Sequence, residues 1–287
     1  MSVVLGVLTS DPNLLRCELE RLKGQVALQA EPRANAVGVG TYADGEVLLR
    51  RLASDVGMTL SSLVPPHESG ALVFHAGRLP VGMSLEENTQ PFRARNWLFA
   101  HQGALNGFER LRGALLEELP DFLRWQINGA TDSEVMFAHF LRLLKERGRT
   151  EDPRLEAQVA GLLLGETARQ MERVAAESGA ARTSTLNFVA TNGRSLLATR
   201  SGEAPLYYTR LEGTDRCEVC GIGPKTPESQ PALIAHRRQR VVVVASHVKR
   251  PAGWVELTQG TTLVVSEDLQ VRHLPVATER GEASEAR

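Results

Sequence analysis

Residues 2–8, SVVLGVL, are apolar and rich in β-branched side chains, and they predict a strand. Between Asp11 and Leu28 the period changes, placing Leu14, Leu15, Leu19 and Leu22 on one face of a helix. Alternation returns in NAVGVGTYADGEVLLRRL, residues 35–52, where Asp44-Gly45 between two apolar runs predicts a hairpin. ALVFHAGRL (71–79) and NWLFAHQGAL (96–105) predict two more strands, separated by the loop PVGMSLEENTQPF (80–92).

The clearest helix start lies in GATDSEVMFAHFLRLLKERG, residues 129–148. Thr131 and Glu134 have capping-box spacing, Lys145 and Arg147 occupy the last turn, and Gly148 marks the end. A second helix is predicted from Pro153 to Glu177, with Leu155, Val159, Leu162, Leu163 and Met171 on its buried face. Beyond it the period drops to two. Residues 184–201 predict a hairpin about Asn192-Gly193, and further strands follow in 205–212, 238–248 and 261–274. The continuous apolar run Val241–Ala245 suits a strand covered on both faces. Strands, then helices, then strands, without strict alternation, predict an α+β fold with antiparallel sheets packed between helical layers. One domain is expected over residues 1–276, followed by a disordered tail at 277–287 that lacks an apolar pattern.

Composition narrows the function classes. A formal net charge of −1 gives no electrostatic reason to expect nucleic acid or an anionic membrane as a partner. No apolar run approaches the roughly 20 residues of a membrane helix, and no signal peptide is read at the N-terminus. Three cysteines in 287 residues do not form a disulfide framework, so a cytoplasmic location is expected.

Five segments, taken in order, resemble the class II glutamine amidotransferases. They are the strand beginning at Ser2, the loop Glu87-Asn88-Thr89-Gln90-Pro91-Phe92, the strand end Ala100-His101-Gln102-Gly103, the helix start Thr131-Asp132-Ser133-Glu134, and residues 241–265. The nearest likeness is to the small stand-alone branch that includes the γ-glutamyl amide hydrolase of ergothioneine biosynthesis. This resemblance implies an N-terminal-nucleophile hydrolase fold, an αββα sandwich of two antiparallel sheets.

It also implies a mechanism. A Cys exposed by Met removal attacks the glutamine side-chain amide, with its own α-amine as general base. An Asn side chain and a Gly N–H in a His-Asn-Gly motif hold the oxyanion. An Arg in a His-x-Arg motif grips the substrate carboxylate, and the Asp of a Thr-Asp-x-Glu motif grips its ammonium. Carried onto this chain, the catalytic positions are Ser2, Gln102 and Gly103, and the substrate-binding positions are Arg78, Asn88 and Asp132.

Several of these depart from the family pattern. Ser2 stands for Cys, Gln102 for Asn, Gly77 for the clamping Arg, and Gln90 for a usual His; Asn35 to Gly38 replace Asp-Gly-Trp-Gly. Arg78 is one place past the clamp position, where it faces the wrong way unless the strand has already ended. The combined departures favour a binding or regulatory module without glutaminase activity. The alternative is an amidohydrolase of altered substrate range with Ser2 as nucleophile. A partner protein or a small amide ligand is the expected partner, and no cofactor is expected.

Other motifs have plainer readings. Cys217-Glu218-Val219-Cys220 has metal or redox spacing but no second cysteine pair, and Cys17 and His236 are the only obvious further ligands. A reduced pair is expected there, and no metal is assigned. His75 and His101 are expected to be hydrogen-bonded core histidines, and the run His236–Arg240 a solvated approach to a strand.

Overall fold

A computed structural model describes residues 2–29, 33–52, 58–149, 152, 155–179 and 183–276. The chain opens with β1 (Val3–Thr9), α1 (Leu15–Arg21), β2 (Ala36–Ala43), β3 (Glu46–Leu52) and β4 (Ala71–Gly77). Next come α2 (Leu85–Asn88), β5 (Phe92–Ala94), β6 (Trp97–Ala104), α3 (Phe108–Glu117), α4 (Asp121–Arg124), α5 (Asp132–Glu146) and α6 (Ala157–Glu177). The chain closes with β7 (Thr185–Thr191), β8 (Leu196–Arg200), β9 (Tyr207–Leu211), α7 (Pro231–Arg238), β10 (Val241–Ala245), β11 (Val255–Glu256), β12 (Thr261–Val265) and β13 (Val271–Pro275).

One sheet has the order β11-β9-β10-β1-β4-β2-β3 and the other β13-β12-β8-β7-β6-β5, and every pairing is antiparallel. Alternation along the strands sorts side chains into three cores. On β10, Val241 and Val243 face the α1 layer, whereas Val242 and Val244 face the second sheet. On β6, Phe99 faces α5 and α6, whereas Leu98 and Ala100 face the first sheet. The result is the αββα sandwich that the resemblance implies.

Local chemistry explains the element ends. Asp44 (φ 51°) and Gly45 (φ 82°) turn β2 into β3 with the left-handed pair that a tight hairpin needs. Leu19 and Leu22 in and after α1 are fully buried, each contributing about 1.5–3 kcal/mol. Thr131 caps α5 by accepting from the Glu134 N–H at 3.4 Å. The expected capping box is only half formed, because the Glu134 carboxylate reaches past Thr131 to the N–H groups of Asn128 (3.0 Å) and Gly129 (2.7 Å).

Other expectations need correction. Leu162 does not join the buried face of α6: it is 51% exposed, and Leu164, Ala168 and Ala175 fill the core instead. The helix begins at Ala157, and Pro153 lies outside the described residues, as does the tail at 277–287. His236 to Arg238 form the last turn of α7 rather than a strand approach, and Arg237 pairs with Asp215 and Glu228. Among the described residues no helix is long and apolar enough to cross a membrane.

Candidate functional site

The ends of β1, β2, β4 and β6 converge beside the N-terminus of α5 on a cleft of about 480 Å³. Ser2, Gly77, Arg78, Asn88, Gly103 and Asp132 all line it. Six positions spread over 131 residues of sequence are thus brought to one concavity.

Their side chains are engaged in different ways. Asp132 Oδ2 accepts from the Leu105 N–H at 2.7 Å, and Oδ1 accepts from the Ser133 N–H at 2.7 Å. The carboxylate therefore ties the turn after β6 to the start of α5. Asn88 Oδ1 accepts from the Ala130 N–H at 2.7 Å, and Nδ2 donates to the Ser84 carbonyl at 2.8 Å. That amide joins α2 to the segment leading into α5. Gly103 has φ +135°, and a Cβ there would lie 1.9 Å from the Thr185 carbonyl oxygen, so only glycine fits.

Gln102 does not line the cleft. It follows Leu98 and Ala100 on the intersheet face of β6, and its Oε1 accepts from Asn187 Nδ2 at 2.8 Å. Asn187 is itself held by the Ala204 carbonyl at 3.0 Å, so the amide pair is fixed between the sheets. Sequence reasoning missed Asn187; on a strand of mixed polar and apolar residues nothing local marks it as a partner of Gln102.

The clamp position carries no cation. Gly77 offers no side chain, and a Cβ there would lie 2.6 Å from Cε1 of His75. His75 is buried in the cleft wall, and neither ring nitrogen makes a well-formed hydrogen bond to a described residue. The expectation of a hydrogen-bonded core histidine thus fails for His75. Burial, reinforced by the neighbouring His101, pushes its pKa down to about 3, so the ring is neutral at neutral pH.

His101 does fit that expectation. Its Nε2–H donates to the Thr185 carbonyl at 2.9 Å, leaving Nδ1 to accept from the Ser133 hydroxyl at 2.9 Å. Burial lowers its pKa, and the Asp132 charge opposes that shift. Gln90 completes the network, accepting from the His101 N–H at 2.6 Å and donating from Nε2 to Ser133 Oγ at 3.2 Å. The residue in the usual His position is thus a strut between β6 and α5.

β4 ends at Gly77, so Arg78 escapes strand alternation and lines the cleft from its rim, exposed. Asn35 holds this rim, donating to the Leu79 carbonyl at 3.0 Å and accepting from the Leu79 N–H at 2.8 Å. Arg110, exposed on α3, also lines the cleft. Neither guanidinium is hydrogen-bonded or ion-paired to another described residue. Sequence reasoning passed over α3, although Phe108, Leu111 and Leu115 carry the helical period that would have found it.

The cleft therefore offers a hydroxyl at Ser2, backbone at Gly103 and two guanidinium groups that are unpaired among the described residues. Elsewhere, Cys17, Cys217, Cys220 and His236 come together with their donor atoms within 4.8 Å of one another, although no metal was assigned to them above. None of the four lines the cleft.

Comparison with known proteins bears on the family and the fold. A probable glutamine amidotransferase of Saccharomyces cerevisiae is 33% identical over 89 residues, which are 31% of this chain and 25% of the yeast protein. The match thus spans about a quarter of that relative's length. A class II glutamine aminotransferase domain protein from Silicibacter pomeroyi has the same fold, with a TM-score of 0.60 at 20% identity, covering 96% of this chain and 100% of that one. Glutamine phosphoribosylpyrophosphate amidotransferase from Bacillus subtilis matches with a TM-score of 0.53 at 13% identity, over 96% of this chain and 50% of that one. The sequence profile of the class II glutamine amidotransferases matches residues 1–286, and the chain belongs to that family.

Proposed function

We propose that this family member does not hydrolyse glutamine and keeps its cleft as a binding site for a small amide ligand that also carries a carboxylate. The observation behind this reading is the His75 ring beside Gly77. Where the family pattern puts a guanidinium for the substrate carboxylate, this chain has Gly77, and the neighbouring His75 ring, which belongs to the same His-x-Arg pattern, is held neutral by burial. Gln102 supports the same reading, since its amide is tied to Asn187 instead of lining the cleft. Losing an oxyanion donor removes about 2.7–4 kcal/mol of transition-state stabilisation. The carboxylate of the bound ligand is gripped from the rim by Arg78 and Arg110. The protein works in the cytoplasm in this reading, alone or as a module for a partner protein.

One observation favours a second reading. Ser2 lines the cleft together with Gly103, as an N-terminal nucleophile would. In that case the α-amine, with an ordinary pKa of about 7.7–8.0, takes the Ser2 hydroxyl proton. The oxygen attacks an amide carbon, the α-ammonium returns the proton to the amide nitrogen as it leaves as ammonia or a free amine, and water hydrolyses the resulting ester to a carboxylic acid and Ser2.

Purified protein of known intact mass decides between them. The first reading expects no ammonia from glutamine and a calorimetric binding signal for γ-glutamyl amides that the double variant Arg78→Ala, Arg110→Ala loses. Turnover of glutamine at about 1 s⁻¹ or faster, an ordinary enzymatic rate, overturns it. Turnover of other amides that requires Met1 removal and is abolished by Ser2→Ala establishes the second reading.

A further inference from the structure

The structure assigns a structural zinc site to Cys17, Cys217, Cys220 and His236. Cys17 comes from α1, the two others from the loop after β9, and His236 from α7. One donor atom from each lies within 4.8 Å of the rest. Zn–S bonds of about 2.3 Å put tetrahedral sulfurs about 3.8 Å apart. Cys17 and Cys220 sulfurs are 3.5 Å apart, near that edge and well beyond the roughly 2.05 Å of a disulfide.

The backbone around the cysteines is shaped for this task. The Cys217 N–H donates to the Ile222 carbonyl at 3.0 Å, and the Ile222 N–H returns to the Cys217 carbonyl at 2.8 Å. Gly221 turns the chain between them with φ 65°. This tight loop presents Cys217 and Cys220 to the same side, toward Cys17. The pair therefore has the two further ligands that its sequence spacing lacked.

The imidazole is the independent observation. His236 is fully buried, and its Nδ1–H donates to the Ala232 carbonyl one helical turn back at 2.7 Å. That bond fixes the tautomer and leaves the lone pair on Nε2. Nε2 is buried and meets no hydrogen-bond partner among the described residues. An unpaired buried acceptor is costly, and a metal ion removes that cost. A backbone carbonyl holding the far nitrogen is the usual support of a metal-bound histidine.

The donor set selects the ion. Three thiolates and one imidazole in a closed tetrahedral arrangement suit Zn²⁺, with no open position for catalysis. Leu14, Ile222 and Leu233 form a small apolar shell beside the ligands, separate from the three main cores. A disulfide between Cys17 and Cys220 would leave the Cys217 thiol and His236 Nε2 without a role. Zinc instead clips the segment between β9 and β10 to α1, joining positions 203 residues apart. It acts away from the cleft.

The test is metal content followed by cobalt substitution of the intact chain. Protein purified without chelator should hold one zinc per chain by mass spectrometry of the ashed sample. After zinc removal, Co²⁺ should bind with thiolate-to-cobalt charge-transfer absorption and the intense visible bands of a tetrahedral ion. His236→Ala should weaken zinc binding by about 100-fold or more, and Cys217→Ser should remove the charge-transfer contribution of one thiolate. Should either variant fail to fold, the Co²⁺ titration of the unmodified chain still decides. Metal-free protein that takes up no Co²⁺ overturns the assignment. So does a cobalt spectrum without thiolate charge transfer, or a Cys17–Cys220 disulfide in protein kept under reducing conditions.

Discussion

The imidazole of His75 stands against Gly77, with Cε1 2.6 Å from the point where a Cβ at position 77 would be. The two residues are alternate neighbours on β4, both facing the cleft. Gly77→Arg alone should therefore overpack the wall and destabilise by about 1–3 kcal/mol, read as a lower urea midpoint. With His75→Ala the arginine should be accommodated, and a double variant no more stable than the single one would contradict this account.

Restoring chemistry requires more. The combined change Ser2→Cys, Gly77→Arg, Gln102→Asn in a His75→Ala background returns nucleophile, clamp and oxyanion donor together. Groups that act as a unit are strongly non-additive, so each single change should stay at background ammonia release. A folded combined variant that neither binds nor hydrolyses glutamine would place further remodelling at Asn35–Gly38 and Leu79–Gly82.

His75 also sets an acid limit on stability. Its pKa falls from 6.5 to about 3 on folding, and that of His139, also buried, falls to about 4. The unfolded state thus binds more protons between these values, so stability is complete above about pH 6.5 and declines as pH falls toward 3. Below the folded values the slope vanishes. His75→Leu should flatten this decline while changing stability little at neutral pH, because neither ring nitrogen makes a well-formed bond. Urea midpoints at several pH values check it; an unchanged acid slope would show that His75 is not its source.

Asp132 holds two N–H groups across the β6–α5 junction. Asp132→Ala should cost about 1.5–3 kcal/mol per charged hydrogen bond lost and speed hydrogen exchange at Leu105. A melting temperature unchanged by this variant would instead assign the carboxylate to ligand alone.

Gly103→Ala should be among the most damaging single substitutions. Its Cβ would meet the Thr185 carbonyl, a backbone atom that cannot yield, at a φ that L-residues rarely adopt. A soluble variant with wild-type melting behaviour would mean that the β6–β7 register differs from Gly103 opposite Leu186.

The sequence by itself determined what local physics controls. Period two and β-branched runs marked the strands, Asp44-Gly45 and Asn192-Gly193 marked the turns, and Thr131 with Gly148 bracketed α5. The order of motifs was enough for the family, because motif order survives when individual side chains change. Tertiary structure alone decided how each polar group is used. Whether Gln102 reaches the cleft depends on Asn187, 85 positions away, and whether Arg78 faces it depends on where β4 stops. Leu162 had the spacing of a core residue, yet the crossing of α6 over its sheet left it in solvent. The cysteine pair was legible at once, but its third and fourth ligands lie on α1 and α7. Coordination depends on distance in space, and distance between residues far apart in sequence is set only when the sheets and helices pack.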